Sequence, residues 1–289
     1  MRQLVLVLGA GGQLGDATTS QLADRHEVVG RSRRDLDVTD PEAVAGLIGT
    51  LCPDVVINCS AYTNVDGAES DPVSAIMVNA LAVRTLARAA GDVDATLVHY
   101  STDFVFDGEA TLPYTEADPP NPRGAYAISK LAGEMFAADC PRHYVLRVES
   151  LFGGPQARSS VDRMLNAILA GTEVRAFCDR VVSPSFVEDV VEATAGLLDR
   201  SSPPGVYHCV NTGYGTWVDV ARELARLAGR PDAPIAEVPV AAVKLLAPRP
   251  QFAALSNAKL ADQGIVMPPW QDALARYVRA RAEAHGGGS

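Results

Sequence analysis

The chain has 289 residues, of which 47% are hydrophobic and 21% are charged, and its formal net charge is −10 at pH 7. This length and apolar content are enough for one large α/β domain or for a domain with a smaller lobe. The acidic balance argues against a nucleic-acid partner, which requires a basic face to displace phosphate counterions. Because we find no membrane-length apolar run and no signal-peptide pattern, we expect a cytoplasmic protein with no membrane partner.

Apolar strand-like runs alternate with helical segments through the first half of the chain. The runs lie at residues 3 to 8, 27 to 30, 54 to 59, 95 to 101 and 143 to 148. The intervals are predicted as helices, most clearly at residues 83 to 90, where apolar side chains recur at helical spacing. This alternation predicts an α/β fold with a Rossmann-type, doubly wound parallel sheet.

After about residue 150 the alternation loosens, and loops rich in glycine and proline separate the elements. We therefore expect a dinucleotide-binding domain at residues 1 to 150 and a smaller, mostly substrate-binding lobe at residues 151 to 289. A predicted helix at 187 to 198 and a predicted strand at 206 to 210 are expected to return to the main sheet. Segments near residues 180 to 210 would then belong to the first domain.

The first predicted strand ends in a glycine cluster, Gly-Ala-Gly-Gly-Gln-Leu-Gly at residues 9 to 15. Such a turn can aim a helix N-terminus at a pyrophosphate, although glycine-rich turns also serve close packing without a ligand. The second strand leads into Arg31, Arg33 and Arg34, where an NAD site usually offers an acidic side chain. Arginine is suited to a 2′-phosphate, so NADPH is favoured, with a solvated arginine loop as the alternative.

Thr102, Tyr126 and Lys130 are the candidate catalytic residues. Tyr126 and Lys130 are four residues apart and would share one face of a helix. Tyrosine has an unperturbed pKa of about 10, so a nearby cation such as Lys130 is needed if it is to shuttle protons at neutral pH. Tyr126 as general acid and Thr102 as a hydrogen-bond partner of the carbonyl oxygen would suffice for carbonyl reduction. A surface Tyr/Lys pair is the alternative, but the glycine turn, the Ser/Thr strand end and this helix occur in the required order.

The other reactive side chains are less informative. Because the five cysteines include no C-x-x-C pair, we predict neither a disulfide framework nor a zinc site. No oxygen-ligand cluster is specific enough to assign Mg²⁺, so no metal site is predicted. His99 lies in an apolar strand and is expected to pack there. Asn211 and Trp217 are equally consistent with packing and with nucleotide contact.

Three longer strings are more specific than the glycines. They are Asn-Cys-Ser-Ala-Tyr-Thr-Asn-Val-Asp-Gly-Ala-Glu (58 to 69), Ser-Thr-Asp-Phe-Val-Phe-Asp-Gly (101 to 108) and Tyr-Ala-Ile-Ser-Lys-Leu-Ala-Gly-Glu (126 to 134). With these strings the chain resembles the extended short-chain dehydrogenase/reductases and, within them, the dTDP-4-dehydrorhamnose reductase family. The resemblance covers most of the chain.

This resemblance implies NADPH-dependent reduction of the 4-keto group of a deoxysugar nucleotide, typically dTDP-4-dehydro-L-rhamnose to dTDP-L-rhamnose. NADH is the alternative cofactor. The resemblance implies a catalytic set of Thr102, Tyr126 and Lys130, with Thr102 and Asp103 touching the sugar. The residues expected to hold the cofactor, including those of the glycine turn and the arginine loop, are Gly9, Gly12, Gln13, Leu14, Arg31, Asp37, Val38, Ala61, Tyr62, Thr63, Tyr126 and Lys130. The expected partner is the sugar nucleotide, and a homodimer is compatible with the sequence.

The chain departs from the family pattern in the predicted substrate half. Phe104 stands where the family usually has tyrosine, and Ser150 stands where tryptophan is common. Loss of the large ring predicts a roomier or differently shaped sugar pocket, so another antibiotic-type deoxysugar stays open as the substrate. Arg180 and Arg249 are candidate contacts for a diphosphate, with surface salt bridges as the alternative.

Two other activities stay open. One relative of this family is a cofactor-binding regulatory subunit of a methionine adenosyltransferase, but the presence of Thr102, Tyr126 and Lys130 argues for an enzyme. A sugar-nucleotide epimerase of the same superfamily is the other alternative. Epimerases usually hold NAD tightly, and the basic loop at residues 31 to 34 favours exchangeable NADPH instead.

Overall fold

The computed structural model describes residues 2–286 and has a six-stranded parallel sheet at its centre. The sheet order is β2-β1-β3-β4-β5-β10, and its strands are β1 (Leu4–Leu8), β2 (Glu27–Arg31), β3 (Val55–Asn58), β4 (Thr96–Thr102), β5 (His143–Val148) and β10 (Gly205–His208). The predicted doubly wound α/β fold is confirmed.

Helices cover both faces of the sheet and build a smaller lobe beside it. They are α1 (Gln13–Leu22), α2 (Pro41–Leu51), α3 (Val65–Ser70), α4 (Pro72–Ile76), α5 (Ala82–Asp92), α6 (Ala125–Ala137), α7 (Ser160–Ala170), α8 (Val187–Asp199), α9 (Trp217–Leu227), α10 (Ala258–Asp262) and α11 (Trp270–Gly286). The short strands are β6 (Leu151–Phe152), β7 (Val174–Phe177), β8 (Val181–Val182), β9 (Ser185–Phe186), β11 (Gly215–Thr216) and β12 (Ile235–Val238).

Successive side chains of β1 enter opposite helix layers. Val5 and Val7 pack in the layer that contains α1 and α8, whereas Leu6 and Leu8 pack in the layer that contains α2 and α5. A strand that is buried on both faces needs a continuous apolar run, which explains why these strands were recognisable in the sequence.

The second half of the chain is divided between the sheet and the lobe. β10 pairs with β5 at one edge of the sheet, and α8 packs against α1. The lobe has its own apolar cluster, formed by α7, α9 and α11 over the β7–β12 pair. A buried Asp162 on α7 accepts hydrogen bonds from Tyr277 and Arg281 of α11, which ties the last helix to the lobe.

The longest apolar helix runs from Pro72 to Asp92, with a π-helical turn at Met77–Leu81 between α4 and α5. By length and composition it could cross a membrane, but half of its apolar window is buried inside the fold. Val83 and Leu86 belong to the core layer under the sheet. The burial indicates a core helix.

α6 lies unusually close to the π-helical turn. A Cβ at Gly133 would overlap the carbonyl oxygen of Asn79. The close packing of α6 against the π-helical turn therefore depends on the absence of a side chain at Gly133. The next residue, the buried Glu134, pairs with Arg147 of β5, and Arg147 Nη2 lies 2.7 Å from Glu134 Oε2.

Gly133→Ala is expected to lower the free energy of unfolding by about 1–3 kcal/mol, since the added methyl group must displace backbone. The matched control is Gly46→Ala in α2, where a Cβ meets no atom within 4 Å. That change should raise stability by about 0.5–1 kcal/mol through helix propensity. Urea unfolding measures both, and equal effects of the two substitutions would contradict the close approach.

Candidate functional site

A cleft of about 860 Å³ opens at the carboxyl ends of β1, β2 and β3, where the strand order changes direction. Gly9 has φ +76° there, and a Cβ on it would lie 2.8 Å from the backbone of Cys59 and Ser60. A Cβ on Gly15 would overlap the carbonyl of Gly9. Glycine is thus required for the close approach of β1, β3 and α1.

The N-terminus of α1 faces this cleft without a side-chain cap. Its N-cap residue is Gly12, which lines the cleft and offers no side-chain oxygen to the first backbone N–H groups. Uncapped N–H groups and the helix dipole favour an anion at this position. The glycine turn therefore fits the pyrophosphate of a dinucleotide.

Half of the predicted cofactor residues line the cleft. Those that do are Gly9, Gly12, Asp37, Val38, Ala61 and Tyr62. Those that lie outside its lining are Gln13, Leu14, Arg31, Thr63, Tyr126 and Lys130. Leu14 is buried in the core, and Gln13 donates its amide to Gly153 of the β6–α7 segment. Their roles toward a cofactor stay predictions.

Two of the three arginines in the loop after β2 line the cleft. Arg33 and Arg34 line it, whereas Arg31 donates to the carbonyl oxygen of Gly30. The backbone carbonyl of Arg31 meanwhile accepts from Gly9 N–H at 2.9 Å. Arg33 and Arg34 are consequently the better-placed cations for a phosphate on the ribose.

The wall of the cleft is tied to the candidate catalytic helix through Asn79. Its side-chain oxygen accepts from Tyr62 N–H at 2.8 Å, and its amide nitrogen donates to Tyr62 O and to Ser129 Oγ. Asn79 lies in the π-helical turn, a distortion that frequently marks functional sites. Asn79 therefore connects Ser129, the residue before Lys130, with the loop after β3.

The N-terminus of α6, which carries Tyr126, is held by a distant carboxylate. Glu69 accepts from Ala125 N–H at 2.7 Å, and Gly124 adopts φ +95° beside it. A carboxylate at a helix N-terminus satisfies an otherwise unpaired N–H and interacts favourably with the helix dipole. This contact orients the first turn of α6 toward the end of β4.

Tyr126 lies beside Thr102 and Asp103 at the end of β4. Burial and the charge of Asp103 raise the pKa of Tyr126, and the Thr102 hydroxyl partly opposes this shift. We expected Lys130 to lower this pKa, but in the structure the pKa is raised. Tyr126 therefore carries its proton at neutral pH and can act as an acid.

Lys130 is buried, and its ammonium donates to the carbonyl of Tyr100 at 2.6 Å. Its Nζ lies 3.5 Å from His99 Nε2, and His99 Nδ1 is 3.1 Å from Asn58 Nδ2. Burial lowers the pKa of Lys130 to about 8, although Glu134 opposes the shift, and burial lowers the pKa of His99 well below its usual value. His99 is thus a neutral, packed side chain, as expected.

The ring of Phe104 contacts both arginines that are predicted to bind a diphosphate. The guanidinium carbons of Arg180 and Arg249 lie 5.5 and 5.8 Å from its ring centroid. Tyr126 meets the same ring edge-on at 5.6 Å. Arg249 also pairs with Asp66 at 3.0 Å. The phenyl ring that replaces the family's tyrosine is therefore a platform shared by the acid and both arginines.

Arg180 also lines a second pocket, of about 310 Å³, in the lobe. This pocket lies between α7 and β7, and Arg163, Arg175 and Trp217 contribute to its wall. Arg180 interacts with Asp103 as well, so it connects the pocket to the end of β4. Glu173 also lines this pocket, but the arginines outnumber it, so the pocket can accept an anionic ligand.

Ser150 follows β5 and adopts φ +46°, a left-handed conformation that is uncommon for residues other than glycine. Such backbone is over-represented at functional sites. Its predicted contact with a sugar stays a prediction. Asn211 is fully buried, and it binds Phe186 N–H, Asp189 and Pro268, so the structure gives it a packing role.

The whole architecture matches known proteins. The family described as "RmlD substrate binding domain" matches residues 1–282. A dTDP-4-dehydrorhamnose reductase of Mycobacterium tuberculosis is 36% identical over 97% of this chain and 94% of its own length. The chain belongs to the dTDP-4-dehydrorhamnose reductase family.

Two further relatives bear on chemistry. A probable dTDP-4,6-dihydroxy-2-methyloxan-3-one 4-ketoreductase of Streptomyces antibioticus is 34% identical over 93% of this chain and 92% of its own length. The crystal structure of a dTDP-4-dehydrorhamnose reductase from Bacillus anthracis in complex with NADP has a TM-score of 0.91 and 30% identity. It matches 96% of this chain and 99% of its own chain.

Four site residues of this family member escaped the analysis of the sequence. Asp66 accepts from Leu246 and Ala247 N–H and thereby holds the segment that carries Arg249. Glu69, Asn79 and Glu149 complete the group. Asp66 and Glu69 lie in the string at residues 58 to 69 that carried the family resemblance, which was the available signal. Nothing in the local sequence distinguishes Glu149.

Proposed function

We propose that this chain is an NADPH-dependent reductase of the 4-keto group of a dTDP-linked deoxysugar. The observation that carries the proposal is the placement of a protonated Tyr126 beside Thr102 at the end of β4, the strand next to β3, whose following loop lines the dinucleotide cleft. The relatives named above are 4-ketoreductases of dTDP-sugars, which supports the same reaction here.

NADPH would lie along the carboxyl ends of β1 to β3. Gly9 and Gly12 would hold the pyrophosphate, Asp37 and Val38 the adenosine, and Arg33 with Arg34 the 2′-phosphate. When bound, the reduced nicotinamide supplies the hydride for the carbonyl carbon. The proposed surroundings of the cofactor also include four residues outside the cleft lining: Gln13, Leu14, Arg31 and Thr63. The NADP complex of the Bacillus anthracis relative supports this cofactor.

The protein's part in the reaction is proton transfer and orientation. Thr102 would donate a hydrogen bond to the carbonyl oxygen, and Tyr126 would transfer its phenolic proton to that oxygen. Because burial raises the pKa of Tyr126, the phenolate that remains is a strong base and must be reprotonated in every turnover. Lys130 would orient the cofactor from its position under Tyr126.

The nucleotide part of the substrate would occupy the second pocket. Arg163, Arg175 and Arg180 supply three cations for a diphosphate, and Trp217 supplies an aromatic wall for a base. Arg249 adds a fourth cation on the Phe104 ring. Asp103 and Ser150 would border the sugar. Serine in place of the family's tryptophan leaves room for a sugar shaped differently from rhamnose.

We also infer a homodimer through α4, the π-helical turn and α6. These adjacent segments expose several large apolar side chains: Val73, Ile76, Met77, Leu81, Ile128 and Met135. Exposed large apolar side chains on adjoining helices are typical of an interaction surface, and a twofold axis here would pair the same segments of two copies. A second copy is the occupant because the face is built from two helix segments that can pack against themselves.

Tyr126→Phe is expected to reduce kcat with NADPH and a dTDP-4-keto-6-deoxysugar by about 10²- to 10⁴-fold, because the proton donor is removed. The dissociation constant for NADPH should change little. Loss of reduced-nicotinamide absorbance follows turnover and also separates a reductase from an epimerase. Tyr214→Phe, at a half-exposed tyrosine outside both pockets, is the control. Full activity of Tyr126→Phe would rule out the proposed acid.

Arg33→Ala combined with Arg34→Ala is expected to weaken NADPH binding by about 10- to 100-fold, corresponding to about 1.4–2.8 kcal/mol, and NADH binding far less. The matched variant is Arg31→Ala, whose guanidinium points to Gly30. Titration calorimetry with both cofactors gives the ratio. Equal losses for NADPH and NADH would show that neither side chain contacts the 2′-phosphate.

Met135→Glu is expected to convert the dimer to a monomer, because it buries a charge in the apolar face. Val266→Glu is the control, since Val266 is 79% exposed and Met135 is 70% exposed, but Val266 lies outside this face. Sedimentation velocity distinguishes the two species. A monomeric wild-type protein would overturn the inference of a dimer.

A further inference from the structure

His99 is a buried imidazole whose two ring nitrogens both face nitrogen donors. Its Nδ1 lies 3.1 Å from Nδ2 of Asn58, and its Nε2 lies 3.5 Å from Nζ of Lys130. Each of the three residues is at most 2% exposed. A neutral imidazole has one N–H and one acceptor nitrogen, so it cannot accept from both neighbours. One of the two donors must therefore face a ring N–H.

The sheet brings the three side chains together. The parallel register of β3 and β4 pairs Asn58 with His99. Because side chains alternate along a strand, His99 lies on the same face of the sheet as Ser101, which donates to Glu134 of α6. Lys130 enters from α6, one turn before Glu134. The three side chains thus form a row from β3 across β4 to α6.

The side-chain amide of Asn58 has a defined orientation. Its Oδ1 accepts from Ser60 N–H at 3.0 Å, so Nδ2 is the atom that faces His99. Because an amide nitrogen only donates, Nδ1 of His99 is the acceptor of this contact. The ring is therefore neutral and carries its single proton on Nε2. That N–H is directed at Lys130.

A ring N–H directed at Lys130 opposes an ammonium group. An ammonium has three donors and no acceptor, whereas a neutral amine has a lone pair that can accept. Lys130 also donates to the carbonyl oxygen of Tyr100 at 2.6 Å, which either form can do. If His99 turns to its other tautomer, the conflict moves to Asn58 or, when that amide rotates, to Ser60. Charging Lys130 thus costs one buried hydrogen bond in every arrangement.

The charges around Lys130 do not remove this conflict. Glu134 favours the charged form of Lys130, but it is itself paired with Arg147. Burial nevertheless lowers the pKa of Lys130 to about 8, and burial and the charge of Lys130 lower the pKa of His99 well below its usual value. The ionisable side chains along this stretch of α6 and opposite it are His99 of β4, Asp103 after β4, Arg147 of β5, Glu69 of α3, and Tyr126 and Glu134 of α6.

We propose that Asn58 and His99 are positioning residues for Lys130: Asn58 holds the imidazole in the tautomer with its proton on Nε2, and this N–H favours the uncharged amine. Neither side chain contacts cofactor or substrate in this role. The protonation of one member of the proposed catalytic set is thus controlled from β3. The consequence for the cofactor rests on the proposed reductase function, in which Lys130 orients NADPH.

The first test reads the tautomer in the wild-type protein and does not depend on activity. Long-range proton–nitrogen NMR spectra should place Nδ1 of His99 at the shift of an unprotonated nitrogen and Nε2 at the shift of a protonated one. Sequential assignment distinguishes His99 from the other histidines, of which the chain has five in all. A proton on Nδ1 in the wild type would overturn the proposal.

The second test follows the charge of Lys130 directly. Protein that is isotopically labelled at lysine Cε gives few carbon signals, because Lys130, Lys244 and Lys259 are the lysines of the chain. Lys244→Arg combined with Lys259→Arg leaves the signal of Lys130 alone. Its shift as a function of pH reports the protonation of Nζ in the wild type and in each variant below.

Asn58→Ala removes the donor that fixes the imidazole and adds no charge. His99 should then move its proton to Nδ1, and Lys130 should titrate about one pH unit higher, a tenfold change in its protonation equilibrium. Asn58→Asp accepts from Ser60 N–H and from Nδ1–H of His99, so it should produce the same tautomer and a larger rise. Asn64→Ala removes the cap of α3 instead and should leave both signals unchanged.

The two substitutions at position 58 separate the hydrogen bond from the charge. A rise with Asn58→Asp alone would show that the added charge acts on Lys130, and it would overturn the proposal. An unchanged Lys130 titration in both variants would do the same. If Asn58→Ala does not fold, the tautomer of the wild type and the response of Asn58→Asp still decide, since a structural role of Asn58 would move neither signal.

The dissociation constant of NADPH connects this interaction with the proposed function. It should rise about fivefold as pH rises through the titration of Lys130, because a charged hydrogen-bond donor is lost. Asn58→Ala should move this rise about one pH unit higher. A dissociation constant that is independent of pH would remove Lys130 from the proposed cofactor site, while the NMR titrations would still decide whether His99 acts on Lys130.

Discussion

The buried ion pair between Glu134 and Arg147 is the contact on which the site depends. Glu134 also accepts from Ser101 at 2.5 Å, so one carboxylate connects α6 with β4 and β5. Tyr126 and Lys130 lie on the same helix, two turns and one turn before Glu134. Removing one partner of a buried pair typically costs about 3–5 kcal/mol. The pair therefore determines where the acid stands relative to the end of β4.

Both pockets of this acidic protein are lined by local cations. The chain carries a net charge of −10, yet guanidinium groups gather at both pockets: Arg33 and Arg34 at the larger cleft, and Arg163, Arg175 and Arg180 at the smaller one. Arg180 also interacts with Asp103 at the end of β4.

Elements that are stabilised locally were predictable. β1 and β3 to β5 contain apolar runs, and α6 carries its Tyr/Lys spacing in the sequence. The orientation of side chains within loops was not predictable from the sequence. Arg31, Arg33 and Arg34 are equivalent in the sequence, but the backbone after β2 turns two of them toward the cleft. The electrostatic effect on Tyr126 also differed from expectation, because Lys130 donates its hydrogen bond to Tyr100, whereas burial and the charge of Asp103 raise the pKa of Tyr126.

The sequence by itself determined the fold class, the family and the chemical groups of the candidate site, because each depends on residue types at short spacing along the chain. Only the tertiary structure decided which of those groups act on one another. Glu149 and Asp103 are separated by 45 intervening positions, and the charges of both act on Arg180. Such contacts depend on how α6, β5 and the lobe pack, and desolvation at that junction changes the protonation of acids that are ordinary in the sequence.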